Sequence, residues 1–161
     1  MKVKTIVTED FSNYKKIAMF IGTVTCNWKC CVESGYEPDL CQNEPLAQME
    51  TKELDNEKIV DKYLSDPITN SVVIGGLEPF DQFDDMMEFI EAFRKRCDDD
   101  IVIYTGYNEN EIISKIEILK SVGNVIVKFG RYIPNDKPKY DEVLGVTLAS
   151  SNQYAKVLSE V

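Results

Sequence analysis

Between Lys16 and Phe129, short β-branched runs alternate with stretches of helical period, and a turn or capping residue marks each changeover. Residues 16–22 read as a buried strand. Asn56–Ser65 carries Ile59, Val60, Tyr63 and Leu64 at helical spacing and must stop at Asp66-Pro67, because proline lacks the amide a helix needs. Residues 71–74 form a β-branched strand that runs into Gly75-Gly76. Over residues 81–97, Phe83, Met86, Met87, Ile90 and Phe93 share one helix face, with Asp81 placed to cap its start and Cys97 on the inner face. A strand follows at 101–105. The run Asn108-Glu109-Asn110-Glu111 then predicts a capping box opening a helix that turns Ile112, Ile113, Ile116 and Leu119 inward. Residues 124–129 give another strand, and 143–148 a final one.

Repeated strand–helix alternation predicts an α/β fold, a mostly parallel sheet with outer helices. In such folds the working loops follow the C-terminal ends of the strands. Four loops qualify here: 23–50, 75–79, the Gly106-Tyr107 pair, and 130–140. The first has no helical or strand period, and a long structureless stretch inside a small domain is usually functional. All four should converge on one site.

The chain of 161 residues is one domain's worth of material, and it shows no repeat, low-complexity tract or linker. A single domain over 1–161 is expected. No apolar run nears the ~20 residues of a membrane span, and residues 17–22 are too short for a signal-peptide core. A cytoplasmic protein is the expectation. A net charge of −10 disfavours nucleic acid and anionic membranes as partners. The absence of histidine removes imidazole bases, His triads and His-containing zinc sites.

Five cysteines in such a chain do not form a disulfide framework. Four of them, Cys26, Cys30, Cys31 and Cys41, fall within sixteen residues, while Cys97 stands apart. Clustered thiolates suit zinc, copper(I) or an iron–sulfur cluster. A four-thiolate zinc site would show two short Cys pairs, and only one is present. Reduced cysteines packed in a loop are the plain alternative. Gly75-Gly76 allows close backbone approach to a ligand, though an ordinary β–α turn would use the same residues. Between Lys120 and Lys139 lie five cationic side chains and one Asp136, either a solvated basic face or an anion-receiving rim.

Together these residues resemble the radical S-adenosylmethionine (SAM) enzymes. Within them the chain is similar to the small activating enzymes of anaerobic ribonucleoside-triphosphate reductase, the glycyl-radical activases. The resemblance rests on four things: a strand into a Cys-x3-Cys loop, a Gly75-Gly76-Leu77-Glu78-Pro79 turn, a Tyr104-Thr105-Gly106-Tyr107 strand end, and Ser150-Ser151-Asn152-Gln153. It departs from the family's pattern at Glu33, where a third cysteine would stand, and at Leu77, inserted before Glu78. Cys41-Gln42-Asn43 reproduces the family's third-cysteine context, giving Cys-x3-Cys-x10-Cys.

The resemblance implies a partial (β/α) barrel and a [4Fe–4S] cluster held by Cys26, Cys30 and Cys41, with Cys31 the rival third ligand. It places SAM with its methionine end against Gly75 and Gly76 and its adenosine near Leu40, Gln42, Tyr104 and Thr105, and counts Glu78 among the cofactor-binding residues. Cluster and SAM would carry the chemistry, so no catalytic acid or base is assigned. The implied partners are the large subunit of an anaerobic ribonucleotide reductase and an external one-electron donor such as flavodoxin or ferredoxin. Residues 128–139, with Arg131, Tyr132 and Pro134, are the expected contact with the reductase. A radical SAM enzyme with another protein or a small molecule as substrate is the runner-up. A zinc- or thiol-containing interaction domain is the non-enzymatic alternative.

Overall fold

β-Branched side chains pack well on a pleated surface and are stiff in a helix, so the four apolar runs of the sequence all become inner strands. A computed structural model describes residues 1–159. In chain order the elements are β1 (Lys2–Val3), β2 (Thr5–Asp10), β3 (Ala18–Gly22), α1 (Lys29–Ser34), α2 (Glu44–Ala47) and β4 (Lys52–Glu53). There follow α3 (Asn56–Ser65), β5 (Ser71–Gly75), α4 (Phe83–Arg94), β6 (Asp100–Tyr104), α5 (Ile113–Lys120) and β7 (Val125–Phe129). The chain closes with β8 (Lys139–Asp141), β9 (Val146–Leu148) and β10 (Tyr154–Leu158).

The central sheet has six strands in the order β10-β7-β6-β5-β3-β2. Its inner four, β3, β5, β6 and β7, are parallel and level, and β2 and β10 flank them antiparallel. The architecture is therefore mixed α/β with a mostly parallel sheet. No barrel closes among the described residues, because β2 and β10 are free edges. Two small antiparallel pairs, β1–β4 and β8–β9, lie outside it.

Alternate residues of each inner strand enter two different cores. Met19, Ile74, Ile103 and Val127 join the large cluster with α3, α4 and α5. Val73, Val102 and Ile126 face the other way, onto Tyr14, Leu144 and Leu148. All three long helices thus cover one face, and loops cover the other. No helix is long and apolar enough to cross a membrane.

Several sequence-based boundaries move. The first inner strand begins at Ala18 rather than residue 16. A 3-10 turn over Pro79–Gln82 precedes α4, so Asp81 falls inside that turn and caps nothing; Glu78 caps it instead, accepting from the Phe80 amide at 3.1 Å. The capping box of Asn108 and Glu111 forms, but on a 3-10 turn, Glu109–Glu111, that shifts the helical phase. Ile113 is consequently 56 % exposed, while Ile112, Ile116 and Leu119 are buried. Residues 143–148 do not join the central sheet: β9 pairs with β8, and β10 is the last strand of the sheet. Cys97 lies beyond the end of α4, half-buried against the core. The 23–50 segment is not structureless, since α1, α2 and a 3-10 turn at Pro38–Leu40 occupy it. Each is too short to show a period in sequence.

Candidate functional site

Level parallel strands bring their C-terminal ends to one edge. Gly22 is in register with Gly75, Ile74 with Ile103, and Tyr104 with Lys128. The loops leaving this edge are stitched together. Thr23 donates from its amide and its hydroxyl to the Gly75 carbonyl, at 2.8 and 3.0 Å, and the Glu78 amide donates to the Thr25 carbonyl at 2.6 Å. Between them lies a cavity of about 340 Å³. Cys26, Cys30, Cys31 and Cys41 all line it. So do Gln42, Gly76, Glu78, Tyr104 and Thr105. The expected convergence of loops holds, and the residues within it differ in role.

Glu78 reaches the cavity wall despite the inserted Leu77, which is itself buried. Its carboxylate accepts from the Thr105 hydroxyl at 2.8 Å and from the Gly106 amide at 2.9 Å. The Gly-Gly-Leu-Glu-Pro turn and the Tyr-Thr-Gly-Tyr strand end are therefore one hydrogen-bonded unit. Burial raises the Glu78 carboxyl to about 7, against these donors, which favour its charge. Thr105 also accepts from the Tyr107 amide at 3.0 Å, so its hydroxyl is fully engaged in holding Glu78.

The glycines divide the work. Gly76 has φ +86°, and a Cβ there would overlap Leu46 of α2. Gly75 does not line the cavity; a Cβ on it would stand 3.1 Å from Tyr104 Cβ, so its bareness makes room for that ring. Leu40 is 64 % exposed and does not line the cavity, because the 3-10 turn at Pro38–Leu40 points it outward. Leu40, expected beside the adenosine, thus stands outside the cavity that holds Gln42, Tyr104 and Thr105.

The basic segment is the largest correction. Lys128 and Arg131 are each 7 % exposed, so neither stands on a solvated rim. Lys128 is the next-to-last residue of an otherwise apolar strand and donates to the carbonyls of Thr105 and Gly130 at 3.4 and 3.2 Å. Burial lowers its amine to about 8, with Cys30 and Glu78 opposing the shift. Arg131 donates to both Glu111 oxygens, at 2.5 and 2.7 Å, and Nε lies 2.6 Å from Glu33. The Arg131 bonds hold the Glu111 carboxyl down at about 2. Glu33, standing where the resembled family has cysteine, thus helps tie α1 to the strand ends. The Ser150–Gln153 motif is a clamp: the Asn152 amide donates to the Arg131 carbonyl at 2.9 Å and the Gln153 amide to the Gly130 carbonyl at 3.3 Å.

Sequence reasoning missed Lys128 and Gly106 as site residues. A lysine closing the run Val125-Ile126-Val127 was the available signal. For Gly106 the signal was its place in the Tyr104-Thr105-Gly106-Tyr107 strand end, and a Cβ on it would lie 3.2 Å from Cys30 Sγ.

Burial dominates the thiols. It pushes Cys26 up to about 12, partly offset by the Trp28 amide, which lies 3.4 Å from its sulfur. Cys30 and Cys41 are raised by the same cause. Soft, desolvated thiols that ionise only on binding a metal couple loading to proton release. Trp28, between the first two cysteines, holds a left-handed φ of 57° that a side chain rarely adopts.

The model of a protein family described as the 4Fe-4S single cluster domain matches residues 15–154. The chain belongs to that family. No curated protein and no solved structure gives a significant match. Its membership of the 4Fe-4S single cluster domain family calls for an iron–sulfur cluster, and the cavity fits one. Four thiols line a single space. Among the described residues no three Cys, Asp or Glu side chains stand close enough to hold one metal ion.

Proposed function

We propose that this chain is a radical SAM enzyme that installs a glycyl radical on the large subunit of an anaerobic ribonucleotide reductase. The observation that carries it is the joining of Cys26, Cys30, Cys41, Gly76 and Glu78 on one cavity at the strand ends. Parallel strands added in sequence, with every long helix on one face, support a partial (β/α) barrel whose loop-covered face carries the site.

Cys26, Cys30 and Cys41 are the proposed cluster ligands. Cluster and SAM, when bound, would supply one-electron reductive cleavage of SAM, with the partner's glycine as the hydrogen donor. The electron comes from an external donor such as flavodoxin or ferredoxin. The protein's own part is binding and shielding. Glu78, fixed by Thr105 and Gly106, presents an acceptor for the ammonium of SAM's methionine end. Gln42, Tyr104 and the Thr105 backbone lie along the same wall for the adenosine. Tyr104 cannot swing away, because its hydroxyl donates to the Asn13 carbonyl at 2.6 Å. Lys128 and Arg131 are engaged internally, so a partner would meet Tyr132, Pro134 and the exposed Ile133 instead.

Anaerobic reconstitution followed by reduction with SAM tests this. The expected result is 5′-deoxyadenosine from the unaltered chain and at least tenfold less from Glu78→Gln, at equal iron and sulfide content. With the reductase added, a glycyl-radical doublet should appear in electron paramagnetic resonance. Failure to form 5′-deoxyadenosine overturns the radical SAM reading. Formation of 5′-deoxyadenosine without the doublet redirects it to another protein or a small molecule.

A further inference from the structure

Side chains alternate between the two faces of a strand, so a cavity against one face meets every second residue. The site cavity meets Val146, Thr147, Leu148 and Ala149 in unbroken succession, over β9 and one residue beyond it. Val146 and Leu148 pack into the core that holds Phe20 and Tyr104, while Thr147 is exposed. What the run shares is its backbone, so β9 turns an edge to the cavity. Its other edge is taken by β8, with Lys139 opposite Leu148, Tyr140 opposite Thr147 and Asp141 opposite Val146. No residue of β8 lines the cavity, and among the described residues β9 has no further strand partner. The edge facing the cavity is therefore the free one, and such an edge offers unpaired N–H and C=O groups at every second residue. Ser12 and Asn13 line the same cavity. Asp10 fixes their turn by accepting from both amides, from the Ser12 hydroxyl at 2.8 Å and from Asn13 Nδ2 at 2.9 Å. A braced turn and a bare strand edge thus share one space with the thiols.

We propose that β9 binds the glycine-bearing segment of the partner protein as an extended strand, added to the β8–β9 pair by main-chain hydrogen bonds. The inference deepens the reading of this site given above and rests on it, since it takes the substrate to be a protein glycine. Glycine has no side chain to grip, so an enzyme acting on it must hold the chain on either side. Strand addition does this, because backbone bonds supply the affinity and the glycine itself needs no pocket. At ~3.3 Å per residue, the four-residue edge spans about 13 Å, enough to engage residues both before and after the glycine.

Amide hydrogen exchange read residue by residue tests this on the cluster-loaded full chain, anaerobically, alone and with the large subunit of the reductase. The outward amides of residues 146–149 should exchange fast in the free protein and at least about tenfold slower in the complex. The outer edge of β2, equally unpaired but outside the cavity, should keep its rates. Thr147→Ala changes the side chain and keeps the backbone, so its affinity for the large subunit should stay within about twofold of the parent's. A complex that leaves the 146–149 amides unprotected overturns the proposal. So does an affinity loss of about tenfold in Thr147→Ala, because it would mean side-chain recognition. Absence of any complex overturns it as well. 5′-Deoxyadenosine, measured without the large subunit, judges the enzyme reading separately: if it forms while the amides stay unprotected, only the docking mode falls.

Discussion

The inner strands and the 23–50 segment meet at one edge but are held by different forces. In β5 and β7 every residue is buried, and each strand is hydrogen-bonded on both sides. In the segment, α1 and α2 have no side-chain cap, Val32 is 78 % exposed, and Trp28 sits in a strained turn. The sheet is stabilised by burying apolar surface. The segment instead leans on Arg131, on Thr23, and on whatever its thiols bind. The contrast teaches that this fold separates a scaffold that needs no ligand from a loop whose best conformation does.

The largest test of the contrast lies in the scaffold. Phe93 is fully buried on α4, packed edge-on against Tyr63 at 5.0 Å. Phe93→Ala should lower stability by about 3–5 kcal/mol in denaturant titration of the cluster-free protein. A loss under about 1 kcal/mol would break the claim that this core carries the fold.

A second, smaller effect is expected at the seam. Glu78 has its folded-state carboxyl raised from 4.5 to about 7 by burial. A raised acid favours the folded state while protonated, so its contribution falls as pH climbs from 4.5 through about 7. The cluster-free protein should lose up to about 3 kcal/mol across that window. Glu78→Gln should be nearly flat over it, as urea midpoints at several pH values would show. Parallel slopes would mean the carboxylate is solvated and the seam open.

Arg131 gives the smallest effect on stability and the sharpest localisation. Its partners Glu111 and Glu33 are partly solvated, so Arg131→Met should cost only about 1–2 kcal/mol. Limited proteolysis should then cut within 23–50 while amide exchange in β5 and β6 is unchanged. Protection lost equally in both regions would erase the distinction drawn here.

Legibility from sequence follows the same divide. The inner strands were readable because burial on both faces leaves unbroken apolar runs such as Val72-Val73-Ile74. The edge strands were not: β2 reads Thr-Ile-Val-Thr-Glu-Asp, and its exposed half dilutes the signal. Cys26, Cys30, Cys41, Gly76 and Glu78, grouped in the sequence only through the family resemblance, all line one cavity. Leu40 and Gly75 do not face it, because a 3-10 turn and a neighbouring ring decide where they point. Those are tertiary facts with no local trace. The burial of Lys128 and Arg131 is another, since a lysine or arginine on paper is solvated until a fold encloses it.

Trp28 is the only tryptophan in the chain, and it lines the cavity between two of its thiols. Emission excited at the red edge of the indole band, where tyrosine no longer absorbs, therefore originates from this loop alone. An iron–sulfur chromophore seated beside it would absorb that light and quench it. The molecule carries an optical gauge of its own loading, readable in a sealed cuvette without labels, while the sheet behind it stays dark.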